Sequence, residues 1–239
     1  MNRRKTNMRR HIPNMLTLGN LACGVLALYY TVEGAGQLAV CLMLCAVLLD
    51  FLDGFTARLL KAQSEVGKQL DSLADMVSFG LLPALFALAI FRESGLPLFM
   101  QLGILLIPLF SALRLARFNA AAPGQVFFSG LPTPAHALFW AGLYWQFVRE
   151  GSIYGHQPEG WFLFAIMLAV ALYMVLPLSM YSLKFTHFRL RENLMRYLLL
   201  LGSLVILLLM GLSGLPVVIL FYMLISLLHL FLHSPGGQF

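Results

Sequence analysis

The apolar residues of this chain come in long blocks separated by short polar breaks, and the blocks set its architecture. They can be placed at residues 14–32, 37–60, 68–91, 96–119, 131–149, 161–182, 195–211 and 214–233. Each is close to the roughly 20 residues that a helix needs to cross the hydrocarbon core of a bilayer. The pattern predicts an all-α fold, a polytopic bundle of eight transmembrane helices.

Composition agrees. Hydrophobic residues make up 60% of the 239 and charged residues 11%, with a mean hydropathy of +0.83, far outside the range of a soluble globular domain. The first block has no small-residue cleavage site and is of spanning length, so it is expected to remain as a helix rather than be removed as a signal peptide. With an even number of spans both ends share one side. On that side fall Arg3, Arg4, Lys5, Arg9, Arg10, Arg58, Lys61, Lys68, Arg114, Arg117, Lys184, Arg189, Arg191 and Arg196, leaving only Arg92 and Arg149 for the other. The positive-inside rule then puts both termini, and the loops near 61–67, 120–130 and 183–193, in the cytoplasm, with the protein in the inner or cytoplasmic membrane. The net charge of +6 is read as topology and attraction to anionic headgroups, not as a nucleic-acid surface, because the basic residues flank spans and form no single patch.

Cys23, Cys41 and Cys45 lie inside predicted spans and are expected to pack between helices without a disulfide. The histidines are dispersed, apart from His229 and His233 one turn apart near the C-terminus, where an interfacial position accounts for them.

The acids carry the chemistry. All four aspartates, Asp50, Asp53, Asp71 and Asp75, fall within 26 residues of mostly apolar sequence, and a carboxylate at membrane depth marks a functional site because it is costly to bury without a counter-ion or metal. Asp50, Asp53, Gly54, Ala57 and Arg58 recur at i, i+3, i+4, i+7 and i+8 of the second helix. Gly67, Asp71 and Asp75 recur at i, i+4 and i+8 of the third. A short turn makes these helices antiparallel neighbours, so the two stripes can face each other. Four converging carboxylates would repel one another unless cations lay among them. Hard oxygen ligands select Mg²⁺, Mn²⁺ or Ca²⁺, and four acids suit two ions serving a phosphoryl displacement. Arg58 suits a phosphate, while Gly54 and Ala57 clear space for a substrate close to backbone. Two other readings stand beside this one. The acids could be salt-bridged to Arg58, Lys61 and Lys68, merely closing a helix pair, or they could mark an ion or proton pathway in a transporter.

The stretch D-F-L-D-G-F-T-A-R, eight residues, then G-K-Q-L-D-S-L-A-D resembles the signature of the CDP-alcohol phosphatidyltransferases at every fixed position. Further segments resemble the bacterial membrane phosphatidylserine synthases within that family. These are Ile12-Pro13-Asn14 with Leu16-Thr17 and Asn20-Leu21, Ser78-Phe79-Gly80, Arg114-Leu115-Ala116-Arg117-Phe118-Asn119, and Gly130-Leu131-Pro132. The resemblance covers roughly residues 12–190. It implies a six-helix catalytic domain at 12–190; outside it the sequence leaves a basic segment at 1–11, two additional helices at 191–233 and a tail at 234–239. It also implies transfer of the phosphatidyl group of CDP-diacylglycerol to L-serine, with CMP released, and a homodimer. Asp50, Asp53, Asp71 and Asp75 match the metal-binding acids for Mg²⁺ or Mn²⁺, with Asp75 as base. Gly54, Ala57, Arg58, Gly67 and Asp71 match positions lining the cytidine and diphosphate, and Asn14 and Asn20 are candidates for the nucleotide side.

For the acceptor, Arg114 and Arg117 could hold the serine carboxylate, with Asn119 bonding nearby, or they could bind lipid phosphate. Ser78 could line the acceptor cavity or only bond its own backbone. Pro13 reads equally as a first-turn helix proline. Glycerol 3-phosphate, inositol phosphate or choline would use the same donor chemistry. A phosphorylated acceptor would call for an extra cluster of cations near the site.

Overall fold

The computed structural model describes residues 2–120, 130–156, 159–178, 180–181 and 193–233, with the side chains of 2–10 and 231–233 left aside. Residues 121–129, 182–192 and 234–239, with Lys184, Arg189 and Arg191 among them, and the side chains of the N-terminal arginines and of His233 therefore lie outside what is described.

Among the described residues eight helical rods occupy the places indicated by the apolar blocks: α1 (Asn2–Val32), α2 (Gly36–Leu59), α3 (Glu65–Glu93), α4 (Leu98–Ala120), α5 (Thr133–Glu150), α6 (Gly160–Val175), α7 (Leu194–Met210) and α8 (Leu215–His233). Five apolar helical stretches are long enough to cross a membrane: His11–Val32, Gly36–Leu59, Glu65–Glu93, Leu98–Ala120 and Leu194–Leu230. The last contains both α7 and α8. A Cβ at Gly202 would lie 2.8 Å from the Phe221 ring, whereas 19 residues of continuous helix would hold these positions about 28 Å apart. The stretch therefore folds back on itself at Gly211, whose φ of +59° suits only a residue without a side chain. The protein is a polytopic helical membrane bundle.

Two boundaries and one packing expectation differ from the sequence reading. α1 begins at Asn2, so Pro13 lies inside the helix and not in its first turn. α6 ends at Val175, not at 182, because Leu176 precedes Pro177 and adopts the extended conformation (φ −66°, ψ 141°) that proline imposes on its predecessor. Cys41 and Cys45 share a face, but it is the exposed face of α2, so they do not pack between helices; all three cysteines are free.

Ser64 starts α3, its hydroxyl accepting the Gly67 amide at 3.0 Å, a side-chain cap that satisfies one of the helix's first free N–H groups. The helix then widens into a π segment at Met76–Leu81, directly after Asp75. Pro83 explains the widening: it has no N–H to give, and its ring crowds the carbonyl four residues back. Such π turns are frequent at functional sites.

The core lies between α2, α3 and α5, with Phe79, Phe86, Phe91 and Trp140 fully buried and the Phe86 and Tyr144 rings stacked at 4.5 Å. Lipid is as apolar as these side chains, so close packing and not the hydrophobic effect joins the helices. Small residues make that packing possible. A Cβ on Gly24 of α1 would run into Ser78 of α3, and one on Gly142 of α5 into Pro216 of α8. α1 thus packs against both α2 and α3, while the backbones of α2 and α3 make little direct contact. This spacing leaves the gap in which the acids meet.

Candidate active site

Asp50 and Asp53 come from the last turns of α2, and Asp71 and Asp75 from the second half of the first section of α3. One carboxylate oxygen from each of Asp50, Asp53 and Asp71 lies within 4.8 Å of the others, so the two stripes do face each other. Asp50 also comes within hydrogen-bonding reach of Asp75. Lys68 does not neutralise the cluster by ion pairing: its ammonium donates to the Asn119 carbonyl at 2.8 Å.

α1 is the third wall. Thr17 Oγ1 lies 2.6 Å from Asp53 Oδ2 and 3.0 Å from the Pro13 carbonyl, and Asn20 Nδ2 donates to Asp75 Oδ1 at 3.3 Å. Thr17, Asn20, Asp53 and Asp75 are all buried. Asn14, one turn before Thr17, brings its amide oxygen to 3.1 Å from where a Cβ of Gly67 would lie. The spacing 14, 17, 20 puts these polar groups on one helical face. It signals a role for Thr17 that the motif on α2 and α3 did not.

A cavity of about 410 Å³ opens beside the cluster, lined among others by Asn14, Thr17, Asp53, Gly54, Ala57, Gly67, Lys68, Asp71 and Phe118. Arg58 is exposed, and its guanidinium folds back to 3.7 Å from a Cβ position on Gly54. The sequence-selected residues Asn14, Asp53, Gly54, Ala57, Gly67 and Asp71 therefore share one cavity with a cation at its edge. Lys68 and Phe118 join them without having been singled out for that role. A second cavity of about 490 Å³ lies among α5, α6 and α8, lined by Phe139, Leu143, Ile166 and Leu220 with Tyr154, His156 and Glu159. Its wall is mostly apolar, and none of the four aspartates lines it.

The remaining residues are placed differently from one another. Ser78 is fully buried and donates to the Asn20 carbonyl of α1 at 3.2 Å, so it joins helices and does not face the cavity. Arg114 turns inward, NH1 3.5 Å from Thr133 Oγ1, while Arg117 is exposed and donates to the Val175 carbonyl at 3.1 Å. Asn119 Nδ2 donates to Ser72 Oγ at 2.7 Å, tying α4 to α3.

The donor set fits a hard divalent cation. It is made only of carboxylate oxygens, and Asp71 Oδ1 is buried without a hydrogen-bond partner, a cost of about 1–3 kcal/mol if left unsatisfied. A bound cation would satisfy it.

Comparison with known proteins agrees with this geometry. The chain is 37% identical over 159 residues, 64% of its length, to the CDP-diacylglycerol–serine O-phosphatidyltransferase of Mycobacterium tuberculosis. It is 37% identical over 124 residues, 52% of its length, to the Bacillus subtilis protein of the same name. It is 35% identical over 150 residues, 60% of its length, to the archaetidylserine synthase of Methanothermobacter thermautotrophicus. The matched regions span 54% of the mycobacterial protein, 70% of the Bacillus protein and 62% of the archaeal one. Residues 10–186 match the CDP-alcohol phosphatidyltransferase pattern, a region that contains the whole acid cluster, its cavity, most of α1 and all of α2 through α6. The chain belongs to the CDP-alcohol phosphatidyltransferase family.

Proposed function

We propose that this protein transfers the phosphatidyl group of CDP-diacylglycerol to the hydroxyl of L-serine, giving phosphatidylserine and CMP. The observation that carries the reading is the convergence of Asp50, Asp53 and Asp71 within 4.8 Å beside a cavity bordered by Gly54, Ala57 and Gly67. The names of the matched relatives supply the acceptor.

In this reading Asp50, Asp53, Asp71 and Asp75 hold divalent metal, Mg²⁺ or Mn²⁺ and two ions by the number of acids. When bound, the metal neutralises the diphosphate and the leaving CMP. Gly54, Ala57 and Gly67 let the nucleotide approach the backbone, with Asn14 at its edge. Arg58 and Lys68 supply positive charge to the diphosphate. The serine oxygen forms a bond to the phosphatidyl phosphorus, the bond from that phosphorus to the CMP oxygen breaks, and Asp75 receives the serine proton. Asn20, donating to Asp75 Oδ1, leaves the other carboxylate oxygen to take it. Thr17 fixes the rotamer of Asp53. Basic-residue asymmetry supports a cytoplasmic site in a bacterial-type cell membrane, and the family resemblance supports a homodimer.

The test is CMP release by purified protein with CDP-diacylglycerol and Mn²⁺ or Mg²⁺, offering serine, glycerol 3-phosphate, inositol phosphate and choline one at a time. Serine-dependent release with phosphatidylserine as product is expected. Release with another acceptor alone would overturn serine. Release with none, from folded protein, would overturn the transferase reading.

A further inference from the structure

The hairpin of α7 and α8 lies beyond the family match at 10–186, yet it is bonded to the segment that leaves α6. From α8, Tyr222 donates its hydroxyl to the Tyr181 carbonyl at 3.1 Å. Ser226 Oγ accepts the Tyr181 amide at 3.2 Å and donates to the Tyr222 carbonyl at 2.8 Å. Both backbone polar groups of Tyr181 are thus held by one face of α8. Its ring packs against His229 at 4.7 Å, and the Arg196 guanidinium of α7 lies 5.6 Å from its centre.

The same segment is tied at its other end to α4 and α5. The Leu178 carbonyl accepts the Gly130 amide at 2.8 Å and the Tyr173 carbonyl accepts the Leu131 amide at 3.0 Å, and the Val175 carbonyl accepts from Arg117. Gly130 has a φ of +75°, and a Cβ there would run into the Met174 carbonyl, so only glycine allows this junction. Thr133, three residues on, is the neighbour of Arg114 NH1. Asp75 and Tyr222 both lie within electrostatic range of Arg114, and its buried Nε has no hydrogen-bond partner. A half-buried guanidinium with a free N–H, within electrostatic range of the acid cluster, is suited to receive an oxyanion.

We infer that the C-terminal hairpin completes the substrate site, with Tyr222 as a positioning residue that holds the segment after α6 and so fixes Arg114 to receive an oxyanion. The inference rests on the transferase reading above. The oxyanion is either the acceptor carboxylate or the donor phosphate, and both present a pair of anionic oxygens that a guanidinium can bind.

The experiment compares Tyr222→Phe with the parent protein. It measures KM for L-serine, KM for L-serinamide, which lacks the carboxylate, and the Kd for CDP-diacylglycerol by calorimetry in detergent. Losing one hydrogen bond is expected to raise the affected constant about 2- to 10-fold, with kcat and melting temperature little changed. A rise in KM for serine but not for serinamide supports the inference and assigns the carboxylate. A rise in the Kd for CDP-diacylglycerol supports it and assigns the phosphate. Ser226→Ala, which removes the other bond to Tyr181, is expected to act in the same direction. Unchanged constants in both variants would overturn the inference, as would a fall in kcat that only follows lost thermal stability. If the parent protein releases no CMP with serine, the transferase reading fails, and the Kd values for CDP-diacylglycerol and for L-serine, both measured by calorimetry in the two variants, still decide the role of the hairpin: a rise in either supports it, and no change in both overturns it.

Discussion

Replacing Thr17 by valine removes one hydroxyl and almost no volume, and so isolates the contact between α1 and the acid cluster. The Thr17 hydroxyl stands 2.6 Å from Asp53 Oδ2, and Asp53 is only 5% exposed, so water has little room to take its place. A hydrogen bond to an ionised group contributes about 1.5–3 kcal/mol, which at about 1.4 kcal/mol per decade corresponds to roughly 10- to 150-fold in an equilibrium constant. Partners that orient metal ligands typically contribute about 10- to 100-fold to metal affinity or activity, the same range reached independently. The assay is CMP release at increasing Mn²⁺. Thr17→Val is expected to raise the half-saturating Mn²⁺ concentration by roughly 10- to 100-fold, with much of the rate recovered at saturating metal, and Thr17→Ser to restore the original value. An unchanged metal requirement in a folded Thr17→Val protein would refute the reasoning and leave the Pro13 carbonyl as the only partner that matters to this hydroxyl.

Asp75→Asn is expected to abolish turnover while retaining much of the binding of CDP-diacylglycerol, measured by calorimetry; substantial remaining turnover would remove Asp75 as the base. Gly24→Val would push α1 off the Ser78 backbone, and overpacking of this kind costs about 1–3 kcal/mol. The variant should melt earlier in detergent and lose activity in parallel, and an unchanged melting temperature would show that α1 and α3 can separate freely. Lys68→Met should weaken binding of CDP-diacylglycerol more than that of serine, because Lys68 lines the cavity that is proposed to hold the diphosphate; the reverse order would place its charge on the acceptor side.

The helical membrane architecture was legible in the chain because bilayer thickness translates directly into the length of an apolar block. The acid stripes were legible because helical periodicity fixes which residues share a face. Asp50, Asp53 and Asp71 met as their spacing required, with Gly54, Ala57 and Gly67 along the same cavity. Arg114 and Arg117 show the limit. They stand three apart on one helix, yet one turns inward to Thr133 and the other outward to Val175, since a side chain several bonds long goes where its neighbours leave room.

What the sequence determined by itself was therefore the solvent, the all-helical class with the places of its apolar helices, and which acids share a face, all consequences of local length, period and residue type. What only the tertiary structure decided was the third wall of the site and the place of the last two helices. Thr17 reaches Asp53 across 36 positions of chain and Tyr222 reaches Tyr181 across 41. No local pattern encodes those distances; they are set by how closely Gly24 and Gly142 let neighbouring helices approach.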